Sequence, residues 1–185
     1  MIVDEIGFEL KDGRNALLRS PGYDDIPGMI EYLYLTSKET EYLLRYPEEC
    51  GKYTEDVERQ VIDRANGSPN EVMLLCTVEG KIAGSCNLRW SSGIKTRHRA
   101  SIGIAVVRKY WGLGIGTKML SELIHIAEQN ENLLQVELEY IEGNVRARNL
   151  YEKMGFTVTG VRPDSIRLRD GTLLNEYSMM RKLRR

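Results

Sequence analysis

Apolar and polar residues follow two periods along this chain. Leu134, Val136, Leu138 and Tyr140 are separated by Gln135, Glu137 and Glu139, an alternation that marks a half-buried strand over 134–140. From Gly116 the apolar residues fall at Met119, Leu120, Leu123, Ile124 and Ala127, one face of a helix. Residues 72–78 read as a continuous apolar strand, and 101–107 as a buried strand. The first returns through Glu79-Gly80-Lys81 into a partner strand, 82–90. Near the start, 6–10 and 15–19 flank Lys11-Asp12-Gly13-Arg14, whose Asp-Gly pair favours a tight hairpin turn.

The remaining elements follow from caps and stripes. Ile26, Met29, Ile30 and Leu33 predict a helix, with Asp24 and Asp25 at its favourable N-terminal end. A polar stretch, 36–52, follows. Thr54 is a candidate N-cap for a second helix carrying Val57, Val61, Ile62 and Ala65. Asn144 caps a helix whose stripe is Ala147, Leu150, Tyr151 and Met154, and Gly155 ends it as a C′ glycine does. Strands 156–161 and 173–180 flank an Asp170-Gly171 turn. The sum is a single domain over 1–185, α/β (α+β), with a mixed sheet of about seven strands.

Composition removes several function classes. The formal net charge is -1, so the molecule has no overall bias towards nucleic acid or an anionic membrane. Three cysteines, Cys50, Cys76 and Cys86, form no close pair, which argues for a reducing cytoplasm over a disulfide framework. With only His98 and His125 as histidines, no metal site is expected. The first residues, Met1-Ile2-Val3-Asp4-Glu5, do not resemble a signal peptide, and no apolar run has membrane-spanning length.

One segment carries chemistry. Gly112, Gly114 and Gly116 stand between a strand and a helix, where uncovered backbone N–H groups and the helix dipole suit a phosphate. The plainer alternative is a loop whose glycines only permit tight packing. A P-loop needs Lys then Ser/Thr after its last glycine, but Thr117-Lys118 has the reverse order. The dinucleotide fingerprint needs GxGxxG near the start of a βαβ unit, and this loop is GxGxG after several strands.

The run Val106-Val107-Arg108-Lys109-Tyr110-Trp111-Gly112-Leu113-Gly114-Ile115-Gly116 resembles the acetyl-CoA loop of the GNAT superfamily of N-acetyltransferases. Downstream, Asn144-Val145-Arg146-Ala147-Arg148-Asn149-Leu150-Tyr151-Glu152-Lys153-Met154-Gly155-Phe156 matches that family's N-x-x-A-x-x-L-Y-x-K-x-G-F run. The resemblance extends over roughly residues 15–183 and is densest over 101–156. It implies the GNAT fold, a twisted sheet with helices on both faces, splayed after the family's fourth strand into a V that holds acyl-CoA. Trp111 departs from the family's usual Gln or Arg. Because such a cradle works through backbone N–H groups, coenzyme binding is expected to survive the change.

The resemblance also assigns roles. Val106 would offer its N–H to the thioester oxygen, and Ala105, Val106 and Val107 would pair with the pantetheine arm. Gly112, Leu113, Gly114, Ile115, Gly116 and Thr117 would hold the phosphates, with Asn144, Asn149 and Tyr151 also at the coenzyme. Tyr151 takes the position that protonates the leaving thiolate, although its spacing alone reads as a core tyrosine. Arg108, Lys109, Arg148 and Lys153 are phosphate-neutralising candidates or plain surface charge. An alkylamine is only about a thousandth neutral at pH 7, so a base must free it. Glu39 is the first choice, in the region that forms the acceptor side in the family, with Glu41, Glu137 and Glu139 as alternatives. His98 and His125 read as solvated side chains.

The expected activity is transfer of acetyl from acetyl-CoA to a primary amine of a small molecule, an amino acid or similar, by direct attack. A polyamine, an aminoglycoside or a protein N-terminus are alternative acceptors, and a non-catalytic acyl-CoA sensor is the rival class. No nucleic-acid or membrane partner is expected; a homodimer stays open.

Overall fold

The computed structural model describes residues 1–184. The chain partitions into two compact units, Met1–Arg89 with Gly103–Leu120, and Trp90–Ile102 with Ser121–Arg185. The strands are β1 (Ile6–Glu9), β2 (Asn15–Arg19), β3 (Glu71–Val78), β4 (Lys81–Trp90), β5 (Arg99–Val106), β6 (Gln135–Ile141), β7 (Thr157–Arg167) and β8 (Leu173–Lys182). The helices are α1 (Ile26–Glu39), α2 (Glu55–Gly67), α3 (Ile115–Gln129) and α4 (Val145–Lys153). Hydrogen bonding orders the strands β1-β2-β3-β4-β5-β6-β8-β7. The sheet of the described residues has eight strands, rather than about seven, and the short β1 of the expected hairpin is paired with β2 along its whole length.

In the first unit, β1 to β4 form an antiparallel meander. Gly13, at φ 87°, turns β1 into β2, as the Asp-Gly signal predicts. Glu79 and Gly80 both have positive φ, the backbone a two-residue hairpin between β3 and β4 requires. Ile26 and Met29 of α1, Ile62 of α2 and Leu75 of β3 make one buried cluster. Thr54 caps α2 by accepting the Val57 N–H.

Two sequence expectations shift here. The polar stretch from Thr36 does not end α1, which runs to Glu39. The Thr36 hydroxyl donates to the Tyr32 carbonyl at 2.8 Å, and that of Ser37 to Leu33 at 2.7 Å. Hydroxyls satisfied by the helix's own carbonyls can be buried in it. On α2, Val57 is exposed and Glu58 is buried beside Ile62 and Ala65, so the inner face is rotated from the expected stripe.

In the second unit β6 lies between β5 and β8. It pairs parallel with β5 (Arg99↔Gln135 to Ser101↔Glu137) and antiparallel with β8 (Gln135↔Lys182 to Ile141↔Glu176). Val136, Leu138 and Tyr140 are buried, as their alternation predicts, but Leu134 is exposed and Leu133 takes the buried place before the strand. The edge strand β7 extends well past residue 161. Its polar second half, including Pro163 and Asp164 (φ 52°), pairs with β8 across register shifts. Bulges let an edge strand carry such residues.

Candidate active site

The glycine loop begins where β5 ends. Val107 donates its N–H to the Ala83 carbonyl at 2.9 Å, a short 3-10 turn spans Arg108–Tyr110, and α3 starts at Ile115. Gly112 and Gly114 sit at φ 80° and 101°, a region L side chains rarely adopt. A Cβ on either glycine would meet nothing within 4 Å. The glycines are therefore required by conformation, and the space beside them is open. Gly116 lies inside the first turn of α3, so the alternating triplet reduces to two left-handed glycines and a helical one. The Lys118 N–H already closes on the Gly114 carbonyl at 3.0 Å. The first-turn amides ahead of it, those of Ile115, Gly116 and Thr117, form the positive end of the helix.

Three contacts fix this loop. The Leu113 carbonyl accepts the Lys11 N–H at 3.2 Å, which ties the β1–β2 turn to it. Tyr110 is buried, with the Arg14 guanidinium 5.5 Å and the Lys109 ammonium 4.7 Å from its ring centre. Trp111 donates its indole N–H to the Val106 carbonyl at 2.6 Å, under the Arg108 guanidinium. Trp111 thus pins the loop to the strand that precedes it. In the sequence Trp111 stands out only as a departure from the family pattern; the signal for its role is an indole donor five residues after a strand carbonyl.

Along β5, the groups facing β4 are spoken for. Gly103 donates its N–H to Asn87 Oδ1 at 3.0 Å, the Ala105 carbonyl accepts the Tyr32 hydroxyl at 2.9 Å, and the Val107 N–H reaches Ala83. Backbone groups alternate in direction along a strand. Of Ala105, Val106 and Val107, only Val106 therefore points its amide away from β4.

Glu39 ends α1 beside this turn. Its carboxylate accepts the Arg108 backbone N–H at 2.7 Å, and the Arg108 guanidinium donates to the Glu39 carbonyl. One oxygen of the expected base is thus engaged in holding the loop.

In the second unit, Asn144 caps α4 through Oδ1, which accepts the Ala147 N–H at 3.2 Å. Asn149 is exposed on the same helix. Arg148 is paired with Glu152 at 2.8 Å, which leaves it less charge to offer a phosphate. Tyr151 is buried, its ring tilted between Tyr140 at 6.5 Å and Phe156 at 6.2 Å. Burial pushes its phenol up to about 12, so the hydroxyl keeps its proton throughout the neutral range. Glu137 and Glu139 share one face of β6 and line an open groove of about 500 Å³ with Arg99, Ser101, Ser178 and Met180. Glu137 accepts from Gln135 at 2.6 Å, and Glu139 is paired with Arg162, which also reaches Glu176 at 3.2 Å. His125 is exposed, with Nε2 2.9 Å from Gln129 Nε2.

A family model described as "Acetyltransferase (GNAT) family" matches residues 35–156. The chain belongs to the GNAT family of acetyltransferases.

Its relatives agree with that placement. L-amino acid N-acetyltransferase AaaT of Escherichia coli (strain K12) is 24% identical over 119 residues, 64% of this chain and 73% of that protein. The crystal structure of a GNAT-family acetyltransferase from Streptococcus pneumoniae superposes with a TM-score of 0.82 at 24% identity, covering 91% of this chain and 99% of the other. A GNAT-superfamily phosphinothricin acetyltransferase from Sinorhizobium meliloti, solved in complex with AcCoA, gives 0.77 at 18% identity, covering 91% and 88%. These likenesses show the GNAT fold. GNAT enzymes use acetyl-CoA, and the residues here fit a pyrophosphate: two left-handed glycines facing open space, followed by the N-terminus of α3.

Proposed function

We propose that this GNAT enzyme moves an acetyl group from acetyl-CoA to the primary amine of a small molecule, an amino acid or a close analogue, by direct attack. The observation that carries this reading is the backbone of 106–117. It combines an amide turned away from β4 at Val106, left-handed glycines at 112 and 114, and the start of α3. Likeness to an L-amino acid N-acetyltransferase supports the acceptor class.

In this mechanism Gly112, Leu113, Gly114, Ile115, Gly116 and Thr117 hold the pyrophosphate through main-chain amides. The strand edge at Val106 receives the pantetheine arm, and the Val106 N–H polarises the thioester carbonyl. The amine nitrogen attacks that carbon, the C–S bond breaks, and Tyr151 gives its proton to the departing thiolate. Burial holds this phenol at about 12, so its proton is in place when the thioester is attacked. The surplus amine proton leaves through a carboxylate. Glu39 has one oxygen committed to Arg108, and Glu137 is the alternative, so both enter the test. Asn144 and Asn149 are assigned to the coenzyme, Asn144 while also capping α4. Three free, buried cysteines support a reducing cytoplasm as the setting.

The test is thiol release from acetyl-CoA across a panel of amino acids, amino-acid analogues, polyamines, aminoglycosides and N-terminal peptides. Turnover highest with amino acids is expected. Highest turnover with a polycation or a peptide would replace the acceptor class. Tight CoA binding with no thiol release on any amine would replace catalysis with sensing.

A further inference from the structure

We propose that Tyr32 is a positioning residue, whose buried hydroxyl aims and polarises the Val106 amide through the peptide plane it shares with the Ala105 carbonyl. This rests on the reading of Val106 as the donor to the thioester oxygen.

Ala105 C=O and Val106 N–H are the two ends of one trans peptide, so they point in opposite directions as a rigid unit. Whatever fixes the carbonyl fixes the N–H. The Tyr32 hydroxyl donates to that carbonyl at 2.9 Å and accepts the Ser85 N–H at 3.2 Å. A phenol has one proton and two lone pairs, so it can serve both. It thereby stands between two main-chain groups on neighbouring strands. Two residues earlier, the Asn87 side chain accepts the Gly103 N–H at 3.0 Å, and two residues later Val107 donates its N–H to the Ala83 carbonyl. Side chains thus engage the main chain at Gly103 and Ala105, on the side of β5 that faces β4.

The surroundings are shaped to admit these spacers. A Cβ on Gly103 would lie 2.5 Å from Asn87 Oδ1, and one on Gly84 would lie 3.1 Å from the Ala105 oxygen. Both positions are glycine. Tyr32 lies one turn beyond Met29, whose side chain is locked into the core with Ile26, Ile62 and Leu75, so the ring is delivered from a fixed helix. The next carbonyl, that of Val106, is held by the Trp111 indole at 2.6 Å. Successive peptides are therefore clamped on both sides of the Val106 amide. A hydrogen bond to the carbonyl also strengthens the N–H at the other end of the same amide. A phenylalanine would fill the core as well, but would release the peptide.

Tyr32→Phe is the first variant, followed by acetyl-CoA and amine kinetics, CoA affinity and thermal melting. The expected result is a fall in kcat of roughly 10- to 100-fold, short of the full loss of an oxyanion donor. CoA affinity should stay close to wild type, while Tm falls by the several degrees that unpaired main-chain groups cost. Unchanged kcat alongside active wild type overturns the proposal and leaves the acetyltransferase reading intact. Equal losses in kcat, CoA affinity and Tm also overturn it, because they describe a packing role. Should Tyr32→Phe not fold, Asn87 decides. Asn87→Leu should lower kcat with CoA affinity retained, and Asn87→Asp, which keeps an acceptor for Gly103, should restore it. Identical turnover in the two Asn87 variants overturns the spacer argument. A wild type that releases no thiol with any amine sinks the transferase reading instead. The variants are then judged by the ratio of acetyl-CoA to CoA affinity, which Tyr32→Phe should reduce.

Discussion

Replacing Gly114 by Ala tests whether the coenzyme is held by backbone shape. The residue sits at φ 101°, and a Cβ there has open space, so no clash adds to the backbone strain. Holding a non-glycine residue in so sparsely populated a region costs roughly 1–3 kcal/mol. The chain can meet this cost in two ways. If the loop keeps its shape, stability falls, and Tm drops by about 2–4 °C for each kcal/mol in a chain of this size. If the loop relaxes, its amides no longer converge, and CoA affinity falls by about tenfold per 1.4 kcal/mol. The two losses should sum to the strain, which calorimetric CoA titration and thermal melting measure together. Gly171→Ala is the control: φ is 89°, space is equally open, and the position is a turn before β8. It should lose stability alone. A Gly114→Ala protein matching wild type in both Tm and CoA affinity would refute the backbone-cradle argument. So would a Gly171→Ala protein that weakened CoA as much.

Further predictions concern individual groups. Tyr151→Phe should lower kcat by about 10²–10⁴-fold, the usual worth of a positioned acid, with acetyl-CoA KM nearly unchanged; equal turnover in the two proteins would remove Tyr151 as the acid. Trp111→Phe deletes the 2.6 Å bond to the Val106 carbonyl and should raise KM for acetyl-CoA, whereas an unchanged KM would show the indole to be dispensable. Glu39→Gln and Glu137→Gln, compared by pH–rate profile, should differ: the variant that loses the acidic limb identifies the base, and two unaltered profiles would eliminate both. Stability should decline at alkaline pH. Burial raises the Cys76 thiol from 9.0 and the Tyr151 phenol from 10.0, each to about 12. Both contributions are complete below the unfolded values. They are lost as pH rises from about 9 towards 12, by up to about 1.4 kcal/mol per pH unit for each group. Urea midpoints that stay level from pH 8 to 11 would contradict this.

The elements that sequence made legible are those whose signals are local. Alternation from Val136 to Tyr140 marked β6, the Thr54 and Asn144 side chains capped the helices expected of them, and Asp12-Gly13 turned the first hairpin. Each rests on residues within a few positions of one another, where period and cap chemistry act. The misplaced features are those in which a polar side chain finds a main-chain partner that its neighbours do not announce. Thr36 and Ser37 open the polar stretch expected after the stripe of α1, yet their hydroxyls bond back into the helix and continue it. Glu58 took the inner position expected of Val57, with burial pushing its carboxyl above the usual range against the pull of the Arg45 charge.

Tyr32 is the strongest case of that division. It is not among Ile26, Met29, Ile30 and Leu33, the stripe expected of α1, yet it is buried on the face of Ile26 and Met29, where nothing within the helix distinguishes it from a core aromatic. Its two hydrogen bonds join residues 53 and 73 positions away. Glu39 presents the same problem in reverse. As an acid near the acceptor side it suggested a base, but its 2.7 Å bond to the Arg108 amide, 69 positions on, gives it a second occupation in holding the loop. A Gln at position 39 can still accept that N–H, so Glu39→Gln separates the two roles. Loss of turnover with CoA affinity retained assigns proton transfer to the carboxylate. Retained turnover leaves Glu39 as the tether between α1 and the glycine loop, and Glu39→Ala should then weaken CoA binding where Gln does not.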